Sequence, residues 1–296
     1  MKALYRIAGI SISVDAPIKI EDTDAFVPYR VLGEKETGNK KKAGKHDKEY
    51  TIRLIPDETL PEPCGPMVFQ NELNCVYEEG DRCLHYFHIP LSRGIAAWNW
   101  ILPGNELELH YIPAAESYFR FSTGIFNAAG FERILFACGK YLFHCSYVEY
   151  QGRGILFSAP SGGGKTTQGN LWERYAGAEM INGDRAVLEI KGDTCWCHGL
   201  PIAGSSGVFT NRSNPLLVIF RVQKAEENRV QKLSGAEAFQ AVYSELTTNL
   251  WNSAFTLGAV DFAMRLAEKI PVYLLKCRKD KGAVTAAKEI VDQILF

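Results

Sequence analysis

The chain of 296 residues carries 33 basic and 34 acidic side chains, a formal net charge of −1, so no global field draws it to nucleic acid or to an anionic membrane. Its length, set against about 100–200 residues per domain, favours two lobes. No apolar run approaches a membrane span, charge interrupts residues 1–7 too early for a signal-peptide core, and eight scattered cysteines lack the spacing of a disulfide framework, so a cytoplasmic protein with reduced thiols is expected.

Residues 1–130 read as a β-rich N-terminal lobe: alternating segments at 50–55, 83–89 and 106–111 are punctuated by Pro and Gly. Between Gly33 and Glu49 a charged stretch holding Lys40, Lys41, Lys42 and His46 is too polar to pack and is expected as a long mobile hairpin loop; a phosphorylated or acidic partner for the lysines is the alternative. From Ser117 to Phe136 the apolar residues Phe119, Ile125, Phe126, Ala129 and Leu135 predict one connecting helix where the lobes join.

Residues 131–296 form the second lobe, in which strands and helices alternate. Strands are expected at 142–148 and 154–158, a helix at 165–175, strands near Met180 and Val187, and another at 216–221. Ser234-Gly235-Ala236-Glu237 has the form of a capping box, which starts a helix toward Leu246; a helix at 252–269, a buried strand at 271–277 and a closing helix at 283–295 follow. That alternation predicts an α/β core. Cys195-Trp196-Cys197-His198 could suggest zinc, but no second Cys-x-x-Cys supplies the remaining ligands, and a strand with both cysteines on one face accounts for the pattern.

The densest chemical signal is Ala159-Pro160-Ser161-Gly162-Gly163-Gly164-Lys165-Thr166, a Walker A-type P-loop set between the apolar strand ending Ile155-Leu156-Phe157 and a helix. Gly162, Gly163 and Gly164 let backbone amides approach phosphate oxygens, and the helix N-terminus adds partial positive charge. Lys165 is placed to reach the β and γ phosphates of ATP, the Thr166 hydroxyl to ligate the bridging magnesium ion, and Ser161 and Thr167 to donate further hydrogen bonds. Ala159 occupies the place of the motif's first glycine, which is tolerable if its φ stays negative. Phosphoryl transfer also needs a carboxylate to hold magnesium or to accept the proton of the attacking hydroxyl. Asp184, in Asn182-Gly183-Asp184, is the candidate for that role as metal ligand or base; a plain turn residue is the other reading of the same tripeptide.

The run from His144 through Gly152-Arg153-Gly154 into the loop, with Lys165 after it and Asn182-Gly183-Asp184-Arg185 beyond, resembles the core of the HPr kinase/phosphorylase family. Residues 199–207 are similar to a segment that approaches the phosphates in paralogues and in ATP-dependent phosphoenolpyruvate carboxykinases. The resemblance covers roughly residues 140–296. It implies a P-loop core of the HPr kinase/PEP carboxykinase type, ATP- and magnesium-dependent transfer to a hydroxyl acceptor, and a catalytic set of Asp184, Lys165 and His144, the last near the acceptor. Without the resemblance His144 reads as a core histidine bonded to backbone. Gly183 stands where HPr kinases have the first of two aspartates, so HPr itself and the phosphate-driven reverse reaction are not implied; paralogues acting on peptides or small molecules are the nearer likeness. The rival readings are a nucleotide-binding regulatory protein without turnover and an ATPase acting with a partner. Self-association into a homo-oligomer is left open by the sequence.

Overall fold

The computed structural model describes residues 1–32, 48–89 and 94–296, the side chain of Ser205 excepted. Two compact units result, Met1–Cys138 and Gly139–Phe296. In the first, β1 (Lys2–Ile7), β2 (Ile10–Asp15), β3 (Lys48–Pro56), β4 (Met67–Gln70), β5 (Asn74–Glu79), β6 (Arg82–His88), β7 (Ile95–Ile101) and β8 (Glu106–Tyr111) form one mixed sheet in the order β1-β2-β3-β8-β7-β6-β5-β4. Alternation does the sorting: Ala3, Tyr5 and Ile7 of β1, and Ile10, Ile12 and Val14 of β2, are buried while their neighbours are not. Ala8 and Gly9, both at positive φ (51° and 71°), close that hairpin in the conformation whose twist suits two antiparallel strands.

The loop expected at 33–49 lies, up to residue 47, outside the described residues, and β2 and β3 pair in parallel. Two expectations are corrected in this unit. The single helix expected at 117–136 is three: α1 (Glu116–Phe119), α2 (Ser122–Ala129) and α3 (Phe131–Ala137). Phe121 is extended and bridges Glu21, and Gly130 at φ +72° ends α2 in the left-handed conformation. All three helices belong to the first unit, whose boundary falls after Cys138 rather than after residue 130.

The second unit contains β9 (Lys140–Tyr150), β10 (Arg153–Ser158), α4 (Lys165–Ala176), β11 (Glu179–Asn182), β12 (Arg185–Lys191), β13 (Thr194–His198), β14 (Ser213–Lys224), β15 (Arg229–Leu233), α5 (Ala236–Tyr243), α6 (Ser253–Lys269), β16 (Val272–Cys277) and α7 (Lys281–Leu295). Its mixed sheet runs β10-β9-β12-β13-β14-β16-β15, and β10 also pairs β14, in parallel. Two long strands make this possible by changing partners along their length. Residues 140–144 of β9 pair β12 and residues 145–150 pair β10; residues 213–215 of β14 pair β13, and residues beyond them pair β10 and β16.

α4 and α7 pack together against a core of Ile155, Phe157, Val218, Phe220, Trp172 and Val291. Each large side chain so buried stabilises the unit by about 1.5–3 kcal/mol relative to exposure. The caps of α6 and α7 are side-chain made, Asn252 accepting from the Phe255 amide and Asp280 from the Ala283 amide. The Ser234/Glu237 capping box does not form: Gly235, at φ +52°, occupies the N-cap of α5, and the Glu237 amide bonds the Ser234 carbonyl instead of its hydroxyl. Cys195 and Cys197 lie buried on one face of β13, Trp196 on the other; the Cys197 thiol bonds Asn214 O, and burial pushes it up to about 12.

Candidate functional site

β9 and β10 are joined by Gln151 and Gly152, both at positive φ (51° and 74°), a tight turn that sends β10 back along β9 until Ser158 pairs Cys145. There the chain leaves the sheet. Ala159 is fully buried and keeps negative φ, so its methyl is accommodated where the motif has glycine. The turn is made by Gly162 (φ +72°) and Gly164 (φ +103°). Gly163 serves a different need: a Cβ there would lie 2.6 Å from the Ala159 methyl. α4 then begins without any side-chain cap, leaving its first amides to an anion, with the helix dipole behind them.

Lys165 is buried to 7% exposure and its Nζ donates to Ala159 O (2.9 Å) and Pro160 O (3.4 Å). Burial lowers its pKa, and the carboxylates of Glu245 and Asp184 oppose that shift. Ser161 is exposed at the loop tip and Thr167 half-buried; neither hydroxyl has a partner among the described residues. The Thr166 hydroxyl donates to Gly183 O at 3.1 Å, which ties the start of α4 to the acidic tripeptide.

β11 and β12 lie end to end along one edge of β9, and Asn182-Gly183-Asp184 spans the interruption. Asn182, fully buried, makes the turn: its Oδ1 accepts from the amides of Asp184 and Arg185 (2.9 Å each), and its Nδ2 donates to Leu200 O and Ile202 O. The turn and chemical readings of Asp184 are therefore compatible, since Asn182 does the turning and the Asp184 carboxylate is left for other contacts. Arg185 Nε donates to its Oδ2 (3.1 Å), and His144 Nε2 lies 3.8 Å from its Oδ1.

Residues 199–207 fold over this turn. A Cβ on Gly204 would come within 2.7 Å of the Asp184 carboxyl carbon, and one on Gly183 within 2.4 Å of Ser206 Cβ and Oγ. A second carboxylate at position 183 has no room under Ser206. Gly183→Ala should cost about 1–3 kcal/mol by overpacking. In a Ser206→Gly background the same substitution should cost at least about 1 kcal/mol less, read by chemical denaturation as a double-mutant cycle; additive costs would show that the two residues do not meet.

His144 is not a core histidine. Its amide bonds Glu245 O (2.8 Å), but its ring, one-third exposed, has Nδ1 at 3.2 Å from Glu245 Oε2 and Nε2 toward Asp184. Glu245 is itself 7% exposed and its Oε1 accepts from Arg221 Nη1. Glu245 and Arg221 went unread in the sequence. The one hint is Arg221, a charge closing the apolar run of residues 216–220; Glu245 has none.

Their placement follows from the strands. β10 occupies one edge of β9 as far as Cys145; beyond that point residues 245–247 take over the same edge, with Thr247 N bonding Leu142 O (2.9 Å) and Leu246 bridging Phe143. Glu245 thus arrives where the loop departs. Arg221 pairs with Ser158 across parallel strands, at the carboxyl ends of β10 and β14, where ligands of open α/β sheets collect.

The assembled set suits a nucleoside triphosphate with a divalent cation. Left-handed glycines, uncapped amides and a lysine belong to one short segment, and Thr166 Oγ1 bonds the carbonyl just before Asp184; a hydroxyl and a carboxylate are the kind of hard oxygen donor that could hold magnesium.

No family model matches the sequence, and no curated protein does. Among solved structures the chain is similar to the Hpr(Ser) kinase/phosphatase from Coxiella burnetii, at 10% identity and a TM-score of 0.32, over 52% of this chain and 99% of that one. This is a distant likeness of fold. No helix among the described residues is long and apolar enough to cross a membrane.

Proposed function

We propose that the second unit is the core of an ATP- and magnesium-dependent phosphotransferase that passes the γ-phosphoryl group to a hydroxyl of a peptide, protein or small molecule. The observation that carries this reading is the bond from Thr166 Oγ1 to Gly183 O, which ties the start of α4 to the turn that bears Asp184. Loop amides and Lys165 would hold the β and γ phosphates. Thr166 and Asp184 would hold magnesium, which when bound offsets charge on the phosphoryl oxygens. The second Asp184 oxygen can take the proton of the acceptor hydroxyl, and His144, fixed by Glu245, borders the space that hydroxyl enters.

A regulatory nucleotide-binding protein without turnover is the second reading, favoured by the lone carboxylate of the turn, since Ser206 fills the space a second would need. Phosphate release over hours from the wild type at saturating ATP separates the two. Release that requires magnesium, with label moving to product when an extract containing the acceptor is added, is the expected result, because water can enter where the hydroxyl sits. Tight ATP binding with neither release nor label transfer makes the protein a binding module.

A further inference from the structure

Transfer of a phosphoryl group spreads charge over three equatorial oxygens, and one lysine answers only part of it. The motif supplies Lys165 alone; the tertiary structure adds a second fixed cation. Arg221 ends at the loop side of the sheet, opposite Ser158, and its field is felt at Lys165. Its guanidinium is held through one nitrogen: Nη1 donates to Glu245 Oε1 and lies 3.5 Å from Ser244 Oγ, while Nη2 and Nε have no partner among the described residues. A guanidinium has five donors in a rigid fork, so an arginine clamped at one corner presents the others in a set direction. Glu245 in turn is nearly buried and is fixed by His144 of β9 twice, the His144 amide donating to its carbonyl and the imidazole Nδ1 lying 3.2 Å from its Oε2.

We infer that Arg221 contacts the transferring phosphoryl group as the second cation of the site, and that Glu245 is the positioning residue that aims it. This rests on the phosphotransferase reading. In the step, the bond between the γ-phosphorus and the β–γ bridging oxygen breaks, its electron pair leaving on ADP. The acceptor oxygen forms the new bond to phosphorus, and the hydroxyl proton passes to the Asp184 carboxylate. Arg221 and Lys165 lie against the oxygens on which charge accumulates between these events.

A merely structural Arg221 would neutralise the buried Glu245 carboxylate and nothing more. Removing the arginine alone strands that carboxylate and endangers the fold, so the informative protein is Arg221→Gln with Glu245→Gln, a neutral pair of similar shape. The probes are ADP with magnesium, with and without aluminium fluoride, followed by calorimetry. In the wild type, aluminium fluoride should tighten ADP binding by about a hundredfold or more, as a mimic of the transferring group does. In the double variant ADP alone should bind within about threefold of wild type, and the added tightening should fall below about tenfold. Free guanidinium at sub-denaturing concentration should restore part of the lost phosphate release in the variant.

Undiminished tightening in the double variant overturns the role of Arg221 and leaves the phosphotransferase reading intact. No tightening in the wild type overturns both.

Discussion

Asp184→Asn is expected to leave ATP binding within a few-fold and to lower magnesium-dependent phosphate release by about 10²–10³-fold. Asparagine keeps the shape of the side chain and removes its charge. The backbone at this position is held by Asn182 Oδ1, which accepts from the amides of residues 184 and 185, and by the Cys145 amide bond to Asp184 O. Neither depends on the carboxylate, so the fold should survive. What goes is the anion that faces His144 Nε2, and with it the group proposed as metal ligand and proton acceptor. Purified variant and wild type compared by calorimetry and by phosphate release give the answer; full release from Asp184→Asn would move the base elsewhere, and loss of nucleotide binding along with turnover would make Asp184 a binding residue only.

The second large effect belongs to Lys165→Ala. Its ammonium is the only cation within the loop itself, and it is partly desolvated, so its interaction with a bound phosphate would be screened less than at an open surface. Both nucleotide affinity and turnover should fall, the second by about 10³-fold. Stability should change little, because the Ala159 and Pro160 carbonyls that lose their donor lie at the loop and water can replace it. Circular dichroism and a melting curve close to wild type, with turnover collapsed, are the expected pair of results. Unchanged nucleotide binding and release would remove the P-loop assignment, and with it the role given to Thr166.

Much of the second unit was readable from residue order, since its cues are local. The helix expected at 165–175 follows the glycine loop, the helix expected at 252–269 is α6, and β9, β10 and β14 match the apolar stretches expected at 142–148, 154–158 and 216–221. Where a cue had two structural outcomes, residue order could not choose. Ser234 and Glu237 have the spacing of a capping box, yet Gly235 takes the cap; residues 117–136 have helical apolar spacing, yet Phe121 and Gly130 divide them. In each case a neighbouring contact or a left-handed glycine decided, and neither is part of the periodic pattern.

The site divides along the same line. The sequence by itself determined the loop, with Gly162, Gly164, Lys165 and Thr166 in one short segment, because a turn of left-handed glycines ahead of a helix is a local geometry. It also brought forward Asp184 and His144. The likeness of residues 199–207 to a phosphate-approaching segment was also legible; only the tertiary structure decided that Thr166 meets the Gly183–Asp184 peptide, that Gly204 and Ser206 pack on Asp184 and Gly183, and that Glu245 pairs with Arg221 near enough for their charges to act on the lysine. Those meetings depend on β14 pairing parallel to β10 and on residues 245–247 taking the edge of β9 that β10 vacates. The physical reason is that register between strands distant in sequence is set by the packing of the whole sheet, and no local pattern of residues encodes it.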